Sequence, residues 1–539
     1  MWINPIKLTK QAKLINDYRN NKAEIMQFFD YKPFDDYQKR IQDLNARSFN
    51  RKGLTKVLHK INGEWGAPAS TFINIERINQ DNSVVVIGGQ QAGLLTGPLY
   101  TINKVISIIQ FAKQKEAELN IPVIPVFWIA GEDHDFEEMN HIHLPEKNRL
   151  KKYKIAQQNI GKCSVSHIPL DERESKDWLD NLFVQLMESE YTKDLYDIMN
   201  ACLVKSATYT DFFARVIYQL FDDEGLVLID SAHPLIREME KEHFVHMIEA
   251  QPEISLGVYR TSEQLKQEQY SLGLDVTLDD ANLFYHKNNE RILLTRNQNQ
   301  EWVGKQEEIT FTTEELMVIA KSTPSLLSNN VVTRPLMQEL LFPSLAFIGG
   351  PGEISYWAQL RAAFHALGIK MPPVVPRLSL TYVERNIEKR INKYDLDIEF
   401  IVNHGLTDFK NDWLAAKVNP PVHKLADDLK EIIRQAHAPL RNIAAELRVD
   451  LRELADKNLL YLHRDVEFLE KRIVRTIEEK YEIEISEFDR INLALHPEGG
   501  LQERMWNPLP FLNLYGKEFL KEALKQSYSF KEEHYIVYL

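Results

Sequence analysis

Cysteine is almost missing from this chain: Cys163 and Cys202 are the only two in 539 residues, and they show no paired or metal-type spacing. That argues against a disulfide framework and a cysteine zinc site, and a reducing compartment is expected. Long apolar runs are missing too. The longest, Ile121 to Ala130, contains two prolines and is too short to span a bilayer. The stretch from Met1 to Leu14 is polar and lysine-bearing, without the apolar centre of a signal peptide. The expectation is a cytoplasmic protein with no membrane anchor. Basic charge is in deficit: 65 Lys and Arg stand against 78 Asp and Glu, a formal net charge of -13. Such a chain is repelled by phosphate backbones and anionic membranes, so nucleic acid is not an expected partner, although a local basic pocket can still hold a small anion.

What is present, 44% hydrophobic and 27% charged residues, is ample for a buried core in more than one domain. The first seventy or so residues carry helical spacing but no chemical motif and read as scaffold. From Ser83 the character changes. Val84 to Ile87 form a β-branched run, followed by a glycine-rich turn and a helical pattern from Leu99 to about Leu119. Further apolar runs follow at Val123 to Ile129, Gly225 to Asp230 and Leu345 to Ile348, the last leading through Gly349, Gly350 and Gly352 into an expected helix from Glu353 to Leu367. Apolar strands alternating with helices imply a parallel α/β sheet covered on both faces, with ligands bound at the carboxyl ends of its strands.

Between about 250 and 330 the sequence is β-like and polar, with Asn288 and Asn289 suited to a hairpin, and reads as an insertion capping the sheet. Past Arg377, Leu425, Leu429, Ile432, Ala436, Ile443, Leu447, Leu451 and Leu454 recur mostly at three- or four-residue steps, and Leu459 to Ile477 continues the theme. A break at Asn419-Pro-Pro421 and a return near Asp456 to Asn458 would make an antiparallel helical arm. Its apolar edge is buried most simply by dimerisation; a self-contained three-helix bundle is the alternative. The boundaries expected are a core over 1–376, with insertions at about 150–220 and 250–330, an arm over 377–486, and a segment over 487–539 returning to the core.

Val86-Ile-Gly-Gly-Gln-Gln-Ala-Gly-Leu-Leu-Thr-Gly-Pro-Leu-Tyr100 is the most informative segment. Glycines after a strand let the backbone approach a ligand, and unpaired N–H groups at the next helix start attract a phosphate or carboxylate. Gly88 and Gly93 have Walker spacing, but Leu94 and Leu95 replace its lysine and hydroxyl; Gly89 next to Gly88 also breaks the dinucleotide fingerprint. Gly88, Gly89, Gln90, Gln91, Gly93, Thr96 and Asn103 are the candidate substrate- or phosphate-binding residues, against the plain alternative of a tight turn.

The second cluster places Glu132, Asp133, His134 and Asp135 directly after a buried strand. A histidine between aspartates can be oriented and held partly protonated for acid–base work, so Asp133, His134 and Asp135 are the candidate catalytic set. His141 and His143 allow a metal reading, yet no zinc motif has this spacing and no metal site is assigned. Gly350 and Glu353 repeat the glycine-turn device, although Glu353 and Ser355 at a helix start also suit plain capping; the tyrosine and tryptophan just beyond either wall a pocket or belong to the core. Arg385, Asn386, Arg490, Asn492 and Trp506, with Tyr382, His496 and Arg504 nearby in sequence, form a candidate second nucleotide site, or an ion-paired hinge with a packed indole.

The segments VVVIGGQQAGLLTGPLYTINK, PVFWIAGEDHDFEEMNHI, FIGGPGEISYWAQL and LQERMWNPLPFLNLYG resemble the signature stretches of the cysteine-adding enzyme family of bacillithiol biosynthesis, in the family's order and over essentially the whole length. The resemblance implies a Rossmann-like core similar to nucleotidyl transferases, connecting-peptide insertions and a coiled-coil domain that dimerises. It implies an amide bond between the carboxyl of cysteine and the amine of glucosaminyl malate. Because a carboxylate must be activated before an amine attacks it at neutral pH, ATP or ADP is the expected nucleotide, with magnesium as a candidate ion. One departure stands out: nucleotidyl transferases carry a histidine motif after the first strand, where this chain has Gly88 to Gly93 with glutamines. The expected roles are an anionic substrate on the glycines and glutamines, and proton transfer at His134 oriented by Asp133 or Asp135. The rival readings are a nucleotidyl transferase acting on another small acid or sugar phosphate, and a non-enzymatic ligand-binding scaffold.

Overall fold

Val84–Gln90, Val123–Ile129, Val227–Asp230, Ser344–Gly349 and Val374–Pro376 are buried along nearly their whole length, and strands hidden on both faces belong in a parallel sheet covered from each side. They form that sheet, as β1 to β5 in chain order, in the computed structural model, which describes residues 1–157, 161–418 and 420–539. Every neighbouring pair is parallel, in the spatial order β5-β4-β1-β2-β3. The chain builds outward from β1 through β2 to β3, then crosses back to lay β4 and β5 on the other side. The order therefore reverses between β1 and β4, where open α/β sheets leave a crevice.

Helix α1, Leu99–Leu119, packs on this sheet, and Leu99, Ile102, Val105, Ile106, Ile108 and Ile109 are completely buried. An apolar surface all round is what a helix inside a core requires. It stops at Asn120, which takes the left-handed conformation (φ 53°) that ends a helix without a glycine.

By contacts the chain forms two compact units. The first comprises Met1–Leu144, Lys151–Tyr382 and Gln502–Leu539; the second comprises Pro145–Leu150 and Val383–Leu501. The chain re-enters the first unit at Gln502, not near Glu487, because Glu482–Leu495 is a helix of the second unit. Within the first unit the region 250–330 carries a five-stranded antiparallel sheet, and its hairpin turns at Asn288 and Asn289, both at positive φ (52° and 65°), as a two-residue turn requires. A small third sheet joins Trp2–Ile6, His534–Tyr538 and Leu380–Val383.

The expected helix from Glu353 to Leu367 is two: α2, Pro351–Trp357, and a shorter one at Arg361–Ala366. Between them the backbone tightens into three-residue turns, Gln359 N–H to the Tyr356 carbonyl (3.0 Å) and Leu360 N–H to that of Trp357 (2.9 Å), and the buried Gln359 amide bonds Gly273, Leu274 and Ser262.

In the second unit, α3, Val422–Leu447, and α4, Val449–Lys480, pack as an antiparallel pair. The reversal comes at Arg448, which is extended (φ −162°, ψ 146°), and not at Asp456 to Asn458. Those residues stay helical because they have partners on α3: Asn458 meets His437 at 2.9 Å and Asp456 meets Arg441 at 3.5 Å. Cross-helix pairing overrides the weak helix propensity of Asp and Asn. The arm is thus a two-helix hairpin and not a three-helix bundle, and α4 buries none of its residues within the chain. The expected break at Asn419-Pro-Pro421 falls on Asn419, which lies outside the described residues.

Candidate active site at the switch point of the parallel sheet

A cavity of about 380 Å³ opens at the carboxyl ends of β1, β2 and β4. Gly89 and Gln90 of β1, Trp128 of β2 and Phe347 of β4 line it, with Gly350 and Glu353 from the turn into α2. Cationic side chains converge on it from distant parts of the chain: Lys104, Arg334, Arg377 and Arg504.

Three of these cations are already engaged. Lys104, buried in the second turn of α1, donates to the carbonyl of Gly89 (2.6 Å) and to Gln90 Oε1 (3.2 Å) and pairs with Glu353. Burial depresses its pKa while Glu353 pulls the other way. Arg377 grips Glu503 with both terminal nitrogens (2.7 and 2.8 Å). Burial would raise the Glu503 pKa, but Arg377 brings it down to about 2. Arg334 donates from Nε to Glu132 Oε1 at 2.8 Å and pairs with Asp133. Glu132 is completely buried; desolvation alone would raise its pKa, and Arg237, Arg334 and Arg291 bring it to about 2.

Other groups lining the cavity are open. Arg504 is exposed and makes no ion pair among the described residues, and the Gln91 amide and the Glu138 carboxylate likewise lack a side-chain partner there. Trp128 Nε1 and Gln338 Oε1 are buried without a hydrogen-bond partner among the described residues. An unmet buried donor or acceptor costs about 1–3 kcal/mol, so a donor and an acceptor left open in the wall of one cavity are groups that a polar ligand would satisfy.

The residues singled out from sequence divide. Gly89, Gln90, Gln91, Asp133, Gly350 and Glu353 line the cavity. Gly88 and Gly93 do not: a Cβ on Gly88 would stand 2.8 Å from the carbonyl oxygen of Ile348, and one on Gly93 2.9 Å from the Cα of Gly97, so both serve close backbone packing. Thr96 is fully buried in the turn, away from the cavity. Asn103 lies behind it, donating to Glu503 at 2.7 Å and accepting from the hydroxyl of Tyr382 at 3.1 Å. The start of α1 is not an open anion cradle either, since the Leu99 N–H is donated to the carbonyl of Trp506 at 2.7 Å. Glu353 is both cap and wall: it accepts from the Gly350 N–H at 2.7 Å. Tyr356 lines the cavity, whereas Trp357 is core, stacked on Phe347 at 4.3 Å.

The acidic cluster separates as well. Asp133 faces the cavity, Asp135 is exposed and does not line it, and His134 turns its ring toward Phe284, 6.2 Å away. Burial, then the charge of Arg291, lowers the His134 pKa, which favours neutral imidazole over the partly protonated form expected. His141 and His143 lie with rings 5.2 Å apart, and burial and Lys152 bring His141 down to about 4. Of the proposed hinge set, Arg385, Asn386 and Arg490 are exposed in the second unit and Asn492 accepts from the Leu406 N–H (2.7 Å), whereas Trp506 is buried in the first unit against Phe511.

Lys104, Arg334, Gln338 and Arg377 were not legible as site residues. Lys104 alone had a signal, a lysine in an otherwise apolar helix directly after the glycine turn.

The architecture matches one family throughout. Residues 1–378 fit the profile "Bacillithiol biosynthesis BshC, N-terminal Rossmann-like domain", and residues 380–539 fit "Bacillithiol biosynthesis BshC, C-terminal coiled-coil domain". The chain belongs to the BshC family. Relatives named "Putative cysteine ligase BshC" are 44% identical in Oceanobacillus iheyensis, 40% in Geobacillus sp. and 39% in Bacillus licheniformis, each covering 100% of both chains. The Rossmann-like core of the BshC family is the sheet that forms the cavity, and its coiled-coil domain holds the α3–α4 hairpin.

Proposed function

We propose that this chain is a cysteine ligase that joins the carboxyl of L-cysteine to the amine of glucosaminyl malate, the last step of bacillithiol biosynthesis, in the cavity at the ends of β1, β2 and β4. The observation that carries the reading is the set of groups there: Arg504, Gln91, Trp128 Nε1 and Gln338 Oε1 offer cationic, donor and acceptor contacts and have no side-chain partner among the described residues. Arg504 and Gln91 suit a carboxylate, and Trp128 and Gln338 suit the polar atoms beside it. Asp133 stands where an attacking amine would enter, fixed by Arg334, and accepts hydrogen bonds from that amine.

A carboxylate resists attack by an amine at neutral pH, so activation by ATP, with ADP or AMP as by-product, is part of the proposal. The chain's residues fit it unevenly. Arg504 can meet a phosphate, but the N–H groups at the start of α1 form no phosphate cradle, since that of Leu99 is taken. Among the described residues no three histidine, cysteine or carboxylate side chains cluster as a metal site, and Asp133 and Glu353 already face cations. Magnesium would accordingly arrive on the nucleotide. Among the described residues no helix is long and apolar enough to cross a membrane; a cytoplasmic location is part of the proposal. The proposal includes a homodimer through the arm: Leu440, Ile443 and Leu447 are 65%, 56% and 67% exposed, a face that a second copy would cover.

Mass spectrometry of the purified protein with cysteine, glucosaminyl malate, ATP and magnesium, each omitted in turn, tests the reading. The cysteinyl amide is expected in the complete mixture alone. Its absence from every mixture would overturn the ligase assignment for the isolated chain.

A further inference from the structure

A second cavity, of about 430 Å³, lies against the first and shares Asp133, Val331 and Arg334 with it. Its walls come from the inserted antiparallel sheet and the loop leading into it. Phe284 and Leu293 stand on Asp280–Lys287 and Glu290–Arg296, and Leu274, Asp275 and Val276 lie on the loop. Of the shared residues Asp133 and Arg334 are an ion pair, and Asp133 also meets Arg291 of the second cavity at 3.5 Å.

The chemistry of the second cavity differs from that of the first. Arg291 is almost wholly buried with its guanidinium carbon 3.7 Å from the centroid of the Phe284 ring, which fixes that half-buried ring in the wall, where an aromatic side chain can take the face of a sugar ring. Arg291 is held there by Ser328 (3.1 Å) and the carbonyl of Asn329. Asn282 and Asn330 hydrogen-bond each other in the wall (3.0 Å). Lys305 and Asp275 are exposed and without an ion pair among the described residues, and Asp280, also in the lining, accepts from the Thr277 N–H at 2.7 Å. A carboxylate-bearing glycoside with an amine fits this lining: Lys305 for the acid, Phe284 for the ring, and Asp133, shared by both cavities, for the amine. The volume lies within the range of small-molecule sites.

We infer that this second cavity is the acceptor subsite, taking an amino sugar glycosidically linked to a carboxylic acid, while the cavity at the sheet ends holds the amino acid whose carboxyl is to be joined. The inference rests on the ligase reading. On it the inserted sheet builds the acceptor pocket, and the Asp133–Arg334 pair is the place where the two substrates meet.

Titration calorimetry of the full-length protein with glucosaminyl malate, without nucleotide, tests it in three proteins. Lys305→Glu alters an exposed side chain and leaves folding intact; it is expected to weaken binding about tenfold or more, the loss of one charge-assisted contact with repulsion added. Val276→Trp fills the cavity and is expected to abolish binding, with circular dichroism as the check on its fold. In turnover both variants raise the KM for the acceptor and leave the KM for cysteine within about twofold, since Val276 and Lys305 line the second cavity and not the first. Wild-type affinity in Lys305→Glu, or in a folded Val276→Trp, overturns the subsite while the ligase reading stands. A wild-type protein that binds no glucosaminyl malate and makes no amide overturns both.

Discussion

Glu132 holds Arg334 through an Nε to Oε1 hydrogen bond of 2.8 Å, and that bond connects a fully buried carboxylate to a guanidinium in the wall of both cavities. Arg237 completes the arrangement on the other side of Glu132. Removing the carboxylate would leave the buried Arg237 with Glu240 alone and the part-buried Arg334 with Asp133 alone.

Glu132→Ala is expected to destabilise the first unit by about 3–5 kcal/mol, the usual cost of breaking a buried ion pair from one side. Urea unfolding followed by tryptophan fluorescence measures it. The pH dependence has a defined sign. The folded pKa of about 2 lies below the ordinary carboxylate value of 4.5, so the contribution is complete above 4.5 and is lost as pH falls from there toward 2. Glu132→Gln should flatten the acid limb of the stability curve in that window; an unchanged limb would show that Glu132 is not the group responsible.

Trp128→Phe removes an N–H that has no partner among the described residues, so its cost should be the lost packing of a buried ring alone, about 1–2 kcal/mol. Arg504→Met should leave the thermal midpoint in place, because the side chain is exposed and unpaired. Both should raise the KM for substrate, about tenfold for Trp128→Phe and about ten- to a hundredfold for Arg504→Met, the worth of a neutral and a charge-assisted hydrogen bond respectively. Steady-state kinetics with cysteine varied separates these outcomes; unchanged KM values in both would remove the two groups from the site.

His134→Ala should retain activity within about an order of magnitude, since the imidazole does not line the cavity and a positioned general base is worth more than that. The pH–rate profile is the more telling measurement. A limb that disappears with His134 would place the ring in the reaction after all.

Leu440→Glu combined with Ile443→Glu puts charge on an exposed apolar face of α3. Sedimentation velocity should show the double variant as a monomer and the parent as a dimer, with far-ultraviolet circular dichroism unchanged. A parent that sediments as a monomer would dispose of the dimer.

The sheet was legible because strands buried on both faces are written as unbroken apolar runs: Val84 to Ile87, Val123 to Ile129 and Leu345 to Ile348 all fell where expected. Helix α1 was legible to the residue, bounded by Pro98 before and Asn120 after. The site was legible only where it sits on those strand ends, as for Gln90, Asp133 and Glu353. Arg334, Arg377 and Gln338 were hidden because their roles come from crossovers that bring separate segments to one crevice, and nothing in their own neighbourhood sets them apart. The turn of the arm was misplaced for a related reason. Asp456 and Asn458 look like chain-breakers locally, and their partners Arg441 and His437 lie across the hairpin on the other helix.

Arg504 and its neighbour Glu503 belong to the segment that rejoins the first unit only after Val383–Leu501 has been made. At ribosomal rates of about 5–20 residues per second, that intervening stretch delays them on the order of ten seconds after Arg377 has emerged. Until then Arg377 and Asn103 have no carboxylate to hold, and the last strand, His534–Tyr538, is not yet there to pair with Trp2–Ile6. The nascent core thus waits, unfinished and inert, for its final residues, and a message cut short anywhere in the arm yields a chain without its free arginine, a product that quality-control proteases would meet as an open sheet edge.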